Sequence, residues 1–160
     1  MKNLVLILTF VFGFLPAQTL IEDSEISENA EEFGRIAVAY DLDNPTEFYR
    51  LKCENPSYAQ FSGGESAFKE SLFKNMKSYL DTGIYSVNGT FEVHLFISKT
   101  GELQRFLLKP EVPNSNLLYR DLELALRKMN PKWTPGSCNG TPVDSKLRQK
   151  VNFRTDSFDI

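Results

Sequence analysis

The sequence predicts an α+β fold: two helices packed on a small antiparallel sheet, in the order α-β-β-α-β with strand order 2-1-3. Three observations carry that expectation. Phe68, Leu72, Met76 and Leu80 recur every four residues, and Leu118, Leu122, Ala125 and Met129 keep helical spacing. Phe91, Val93, Leu95 and Ile97 alternate with Glu92, His94 and Phe96, while Leu147, Gln149, Val151 and Phe153 alternate with Lys146, Arg148, Lys150 and Asn152. Turn signals at Asn88-Gly89, Ser98 to Gly101, Pro135-Gly136 and Asn139-Gly140 punctuate these segments, because Gly adopts the positive φ that tight turns need.

The chain divides into three expected parts. Residues 1–17 read as a signal peptide, 18–57 as an acidic N-terminal extension whose structure the sequence leaves open, and 58–155 as the folded domain. Lys2 supplies the positive start of the leader, Leu4 to Leu15 is apolar apart from Thr9 and Gly13, and Pro16-Ala17 offers a small residue before Gln18. Twelve helical residues span about 18 Å, short of the roughly 30 Å hydrocarbon core, so a cleaved signal is favoured over an anchor. With the leader removed, 17 basic and 21 acidic residues remain, a net charge of −4 that gives no reason to expect nucleic acid. Cys53 and Cys138 would then meet an oxidising compartment, where a pair is often bridged. Two free or buried thiols are the alternative, since spacing does not show proximity.

Glu22 to Glu32 holds six acidic residues and no basic one, the composition of a solvated tether or of a helix start. Arg35 to Tyr40 reads as a strand or as the end of that helix, and Phe48 to Cys53 as a loosely alternating strand. Ser62 and Glu65 have capping-box spacing for the first helix. Gly63-Gly64 before that helix lacks the spacing and Lys of a nucleotide loop. Thr90 to Ile97 and Glu102 to Lys109 form a hairpin that Pro110 ends. The second helix starts after Asn114 or Ser115 and stops at Pro131.

This order constrains the sheet. The second helix runs back along the second strand, so the last strand lies antiparallel only if it pairs with the first. Lys146 to Phe153 then stands at an edge, unless the N-terminal region covers it, with its outer N–H and C=O groups free to recruit another strand. Lys146, Leu147, Arg148, Gln149, Lys150, Val151, Asn152 and Phe153 are therefore the expected partner-binding residues, acting through their backbone. Cys53 and Cys138 are the candidate disulfide pair.

An ordered set of motifs between Phe61 and Phe153 resembles the TonB C-terminal domain family. It includes Phe61, Gly63-Gly64 and Ala67, then Gly89 before the V-x-L-F-I strand, Gly101, Leu122 and Ala125. It continues through Trp133-x-Pro135-Gly136 and Asn139-Gly140-x-Pro142-Val143 to Val151-Asn152-Phe153. The resemblance implies an α+β periplasmic domain whose last strand takes up a short extended segment of an outer-membrane transporter. The segment after the leader is acidic and carries only Pro45 before Pro56, unlike the Pro- and Lys-rich spacer of an energy transducer. The resemblance therefore implies a binding module without force transduction of its own.

Catalytic chemistry has little support. His94 is the only His, and it sits in mid-strand. Two cysteines 85 positions apart make no metal spacing, and Asp121 and Glu123 face different sides of their helix. No enzyme, cofactor or metal is expected. The partners expected are a peptide or protein, among them a TonB-dependent outer-membrane transporter, or a second copy of the chain in a self-associating envelope protein. Export carries its own check: the intact mass of the mature protein should place its N-terminus near Gln18, and recovery of Met1 to Ala17 in a membrane fraction would restore the anchored alternative.

Overall fold

The computed structural model describes residues 35–113, 115–129 and 133–158, which form one compact unit within Gly34–Ile160. The leader and the Glu22–Glu32 run lie outside the described residues. Two helices and ten strands in three sheets are present among them, so the expectation of two helices on a three-stranded sheet is corrected. The additional strands come from residues 35–57, which join the main sheet and a smaller one, and from Gln60–Phe61 and residues 133–143, which complete the two small sheets.

The main sheet runs β1 (Arg35–Asp41), β10 (Ser145–Phe158), β5 (Gly89–Ile97), β6 (Leu103–Lys109), with β2 (Glu47–Phe48) also on β10. Every pair is antiparallel. β1 pairs from Arg35↔Phe158 to Asp41↔Asn152, and β2 adds Glu47↔Arg148 and Phe48↔Leu147. β5 pairs with β10 from Gly89↔Phe153 to Ile97↔Ser145. Val38 explains why Arg35 to Tyr40 becomes a strand and not a helix end: its side chain is buried against the core, and its N–H donates to the Thr82 carbonyl at 3.2 Å.

The helices, α1 (Gly64–Tyr79) and α2 (Asn116–Lys128), pack on each other and cover one face of the sheet. Phe68, Leu72 and Met76 of α1 and Leu118, Leu122, Ala125 and Leu126 of α2 are buried, as the helical spacing requires. Phe91, Val93, Leu95, Ile97, Phe106, Leu108, Leu147, Val151 and Phe153 meet them from the sheet. The start of α1 departs from the capping-box expectation. Gly63 is the N-cap, with φ +88°, and no side chain caps the helix. The Glu65 carboxylate instead accepts the Thr46 N–H at 2.8 Å and pairs with Lys69 at 3.0 Å.

Two small sheets fasten the loops. β4 (Gln60–Phe61) pairs with β7 (Trp133–Thr134), and β8 (Gly136–Cys138) lies between β3 (Pro56–Ser57) and β9 (Thr141–Val143). Gly101 ends the β5–β6 hairpin at φ +81°, and its carbonyl accepts the Trp133 N–H at 3.1 Å. A Cβ on Gly101 would overlap the Trp133 carbonyl oxygen, so this turn needs glycine for space as well as for φ.

Cys53 and Cys138 form a disulfide with Cα atoms 5.8 Å apart. It joins the segment before β3 to the strand that β3 pairs with. Closing a separation of 85 residues stabilises the fold by about 4 to 5 kcal/mol on the loop-entropy account. Reduction, or the double substitution Cys53→Ser and Cys138→Ser, should lower the melting temperature by on the order of 10 °C in differential scanning.

Candidate functional site

Ser145–Phe158 is the strand expected to bind, and its surroundings decide what it can do. Tyr49 N–H donates to the Lys146 carbonyl at 3.0 Å from the β2 side. Backbone groups alternate sides along a strand, so those of Lys146, Arg148, Lys150 and Asn152 face β2 and β1, and those of Leu147, Gln149, Val151 and Phe153 face β5. Between β2 and β1 the chain bows out over Leu42 to Thr46, opposite Gln149 to Val151. The Gln149 amide closes that interval. Its Nε2 donates to the carbonyls of Lys150 at 2.9 Å and Asn44 at 2.8 Å, and its Oε1 accepts from Thr46 Oγ1 at 2.7 Å. The expectation that Lys146 to Phe153 is an open edge is therefore corrected: the strand is flanked on both sides, because residues 35–49 return to pair with it.

The side chains of the same residues divide between two faces. Leu147, Gln149, Val151 and Phe153 are buried on the helix side. Lys146, Arg148, Lys150 and Asn152 stand on the other face of the sheet, with β5 and β6 neighbours and residues of β1 and β2. Arg148 bridges Glu47 at 2.6 Å and Glu92 at 2.8 Å, and Lys150 reaches Glu47 at 3.3 Å. These cations hold the Glu47 carboxyl below the usual carboxylate range, the Arg148 hydrogen bond being the largest cause. Lys146 Nζ lies 4.1 Å from the Tyr49 ring centroid and 5.2 Å from that of Phe96, whose ring also carries Arg105 at 3.6 Å. Asn152 donates to Asp41 at 2.8 Å.

His94 lies in this network as a structural residue. Its Nε2 is 2.9 Å from Glu92 Oε2 and its Nδ1 is 3.0 Å from the Tyr49 hydroxyl. An ionised Glu92 only accepts, so the neutral ring places its proton on Nε2 and receives the Tyr49 O–H at Nδ1. Among the described residues no group of three or more His, Cys, Asp or Glu side chains is placed to hold a metal ion.

β6 and β1 are the two outer strands of the main sheet among the described residues, and β6 is the one with a groove along it. Glu92, His94 and Phe96 of β5 aim their backbone groups at Lys109, Leu107 and Arg105, so Phe106 and Leu108 aim theirs away from the sheet. Tyr119 Oη donates to the Phe106 carbonyl at 3.3 Å from that side. The Phe106 N–H and both Leu108 groups have no hydrogen-bond partner among the described residues. A groove of about 310 Å³ lies between this edge and α2, walled by Leu103, Phe106, Tyr119 and Leu126. Sequence reasoning missed it, although the strand's position at the outside of the hairpin was the available signal.

Burial is the largest influence on His94 and holds its pKa below the usual histidine value, against the hydrogen bond that it donates to Glu92. The unfolded chain therefore takes up the proton at higher pH than the folded one. Stability should be level above the unfolded value, about 6.5, and fall as pH drops below it. Urea midpoints at pH about 7.5 and about 5.5 should show that fall in the native protein, and His94→Gln should remove part of it.

Comparison of the chain with family models, with curated proteins and with solved structures found no match.

Proposed function

We propose that this chain is an exported protein-binding module that takes up an extended segment of an envelope partner by strand addition, and that the segment adds to β6. The unpaired Phe106 N–H and Leu108 backbone groups, on a strand whose Leu103 to Phe106 stretch lines a groove able to receive side chains, are the observation that carries the reading. An added strand would place alternate side chains in the groove and on the opposite face, next to Arg105 and Lys109. The Cys53–Cys138 bridge supports export, because structural disulfides persist in oxidising compartments. The TonB C-terminal domain resemblance suggests the N-terminal segment of an outer-membrane transporter as the partner. Self-association through β6 is the weaker reading. Two-fold pairing centred on Leu107 would set Arg105 opposite Lys109 of the other copy, and like charges directly opposite are destabilising.

Amide-shift titration with extended peptides from transporter N-termini tests the proposal. Perturbations should fall on Leu103 to Lys109 and on Tyr119. N-methylation of the peptide residues that face Phe106 and Leu108 should abolish them while methylation of the intervening residues preserves them, since strand addition depends on those main-chain donors and the protein is left unchanged. Perturbations confined to Lys146–Asn152, with loss of the β1 pairing, would place binding at β10 and refute the β6 assignment.

A further inference from the structure

A second concavity, of about 350 Å³, lies where β2, the residues before α1 and Trp133 meet. Five aromatic side chains line it: Phe48, Tyr58, Phe61, Phe68 and Trp133. Phe68 and Trp133 are buried at its floor, while Phe48 and Tyr58 are more than a third exposed. Neighbouring ring centroids lie 5.1 to 5.7 Å apart at interplanar angles of 32° to 73°, which makes a cup and not a flat stack.

The charge of the lining is one-sided. Glu65 is its only ionisable acid, and no Lys, Arg or His lines it. The Thr46 N–H and Lys69 both take Glu65 Oε1, and Oε2 has no hydrogen-bond partner among the described residues. An anion would meet this carboxylate and the negative faces of the rings, so the cavity disfavours it. A primary ammonium carries three strongly hydrated donors, and with the Thr46 hydroxyl committed to Gln149 only Glu65 Oε2 and the side chains of Tyr58 and Gln60 are left to receive them. A cation whose charge is spread over methyl groups needs no such acceptors and is attracted by the rings.

We propose that this cavity binds a small alkylated ammonium ion of the choline type, held against the aromatic walls with Glu65 as its counter-charge. The site is independent of the β6 edge. Its outer wall depends on the segment carrying Phe48 and Tyr58, which β2 fastens to β10 and which the Cys53–Cys138 bridge and the β3–β8 pairs fasten to the loop after Trp133. Binding is therefore coupled to the disulfide: the reduced protein loses the wall and with it the affinity.

Trp133 is the only tryptophan in the chain, so its emission reports on the cavity. The test titrates the oxidised protein with choline, with the uncharged isostere 3,3-dimethylbutan-1-ol, and with sodium chloride as the ionic-strength control. Amide shifts at Phe48, Tyr58, Phe61 and Gly64 are followed in parallel. Choline should give a saturable change that sodium chloride does not, and the isostere should bind at least about tenfold more weakly. Tyr58→Ala removes a partly exposed ring and should weaken choline binding about fivefold or more, with the unfolding midpoint nearly unchanged. Glu65→Gln keeps an acceptor for Thr46 and should weaken it severalfold. Equal binding of the isostere, or a choline response no different from that of sodium chloride, overturns the proposal.

Discussion

β10 has hydrogen-bonding partners along both of its edges, and the placement of the other elements follows from that. One edge is taken by β5 over nine residue pairs. The other is shared by β1 and β2, with the Gln149 amide serving the interval between them. A strand so placed must bury one face, and Leu147, Val151 and Phe153 meet both helices there. Gln149 sits in the same row with no exposed surface, which is tolerable because its amide hydrogens and its oxygen are engaged. Had residues 35–49 not returned to the sheet, that amide would be an unpaired polar group in the core, at a cost of about 1 to 3 kcal/mol.

The two faces of the sheet do different work. The helix side is apolar and closed. The other side is tied by ion pairs and by cations over rings, with Arg148 between Glu47 and Glu92 and Lys146 between Tyr49 and Phe96. That face fixes β2 and Tyr49 in position, and β2 in turn positions Phe48 at the aromatic cup. The residues first singled out for binding thus act as the frame. Among the described residues the β6 edge and the cup offer different things to a partner, one backbone hydrogen bonds and the other aromatic area.

Local pattern made part of this legible. The four-residue recurrence of Phe68, Leu72 and Met76, the alternation from Phe91 to Ile97, and the turn at Gly101 each depend on residues near in sequence, and each is realised. What escaped depends on pairing across the chain. Arg35 to Asp41 is seven residues whose partner lies at the opposite end, and nothing in them distinguishes a strand on β10 from the end of a helix. Thr46 and Gln149, 103 positions apart, meet only once that pairing exists. The open edge was misplaced for the same reason: which strand is outermost follows from the complete list of pairs, not from any one strand. Ser62 had the right spacing for a cap, but the left-handed conformation of Gly63 starts the helix one residue later.

The antiparallel match of Arg35 with Phe158 brings the two ends of the described chain side by side. Tension applied to both ends would therefore load the β1–β10 pairs one at a time, as a zipper opens, and not all together in shear. Mechanical resistance along that route is low until β1 has peeled away. Beyond it the load falls on the pairs of β10 with β5 and β2, and once those are stripped the Cys53–Cys138 bond carries it, so the chain between the two cysteines is shielded from extension. That protected stretch contains both helices, β5 and β6. The chain would therefore give way in two stages, β1 first and β10 second, and then meet a covalent stop that keeps the hairpin of β5 and β6 out of the line of force.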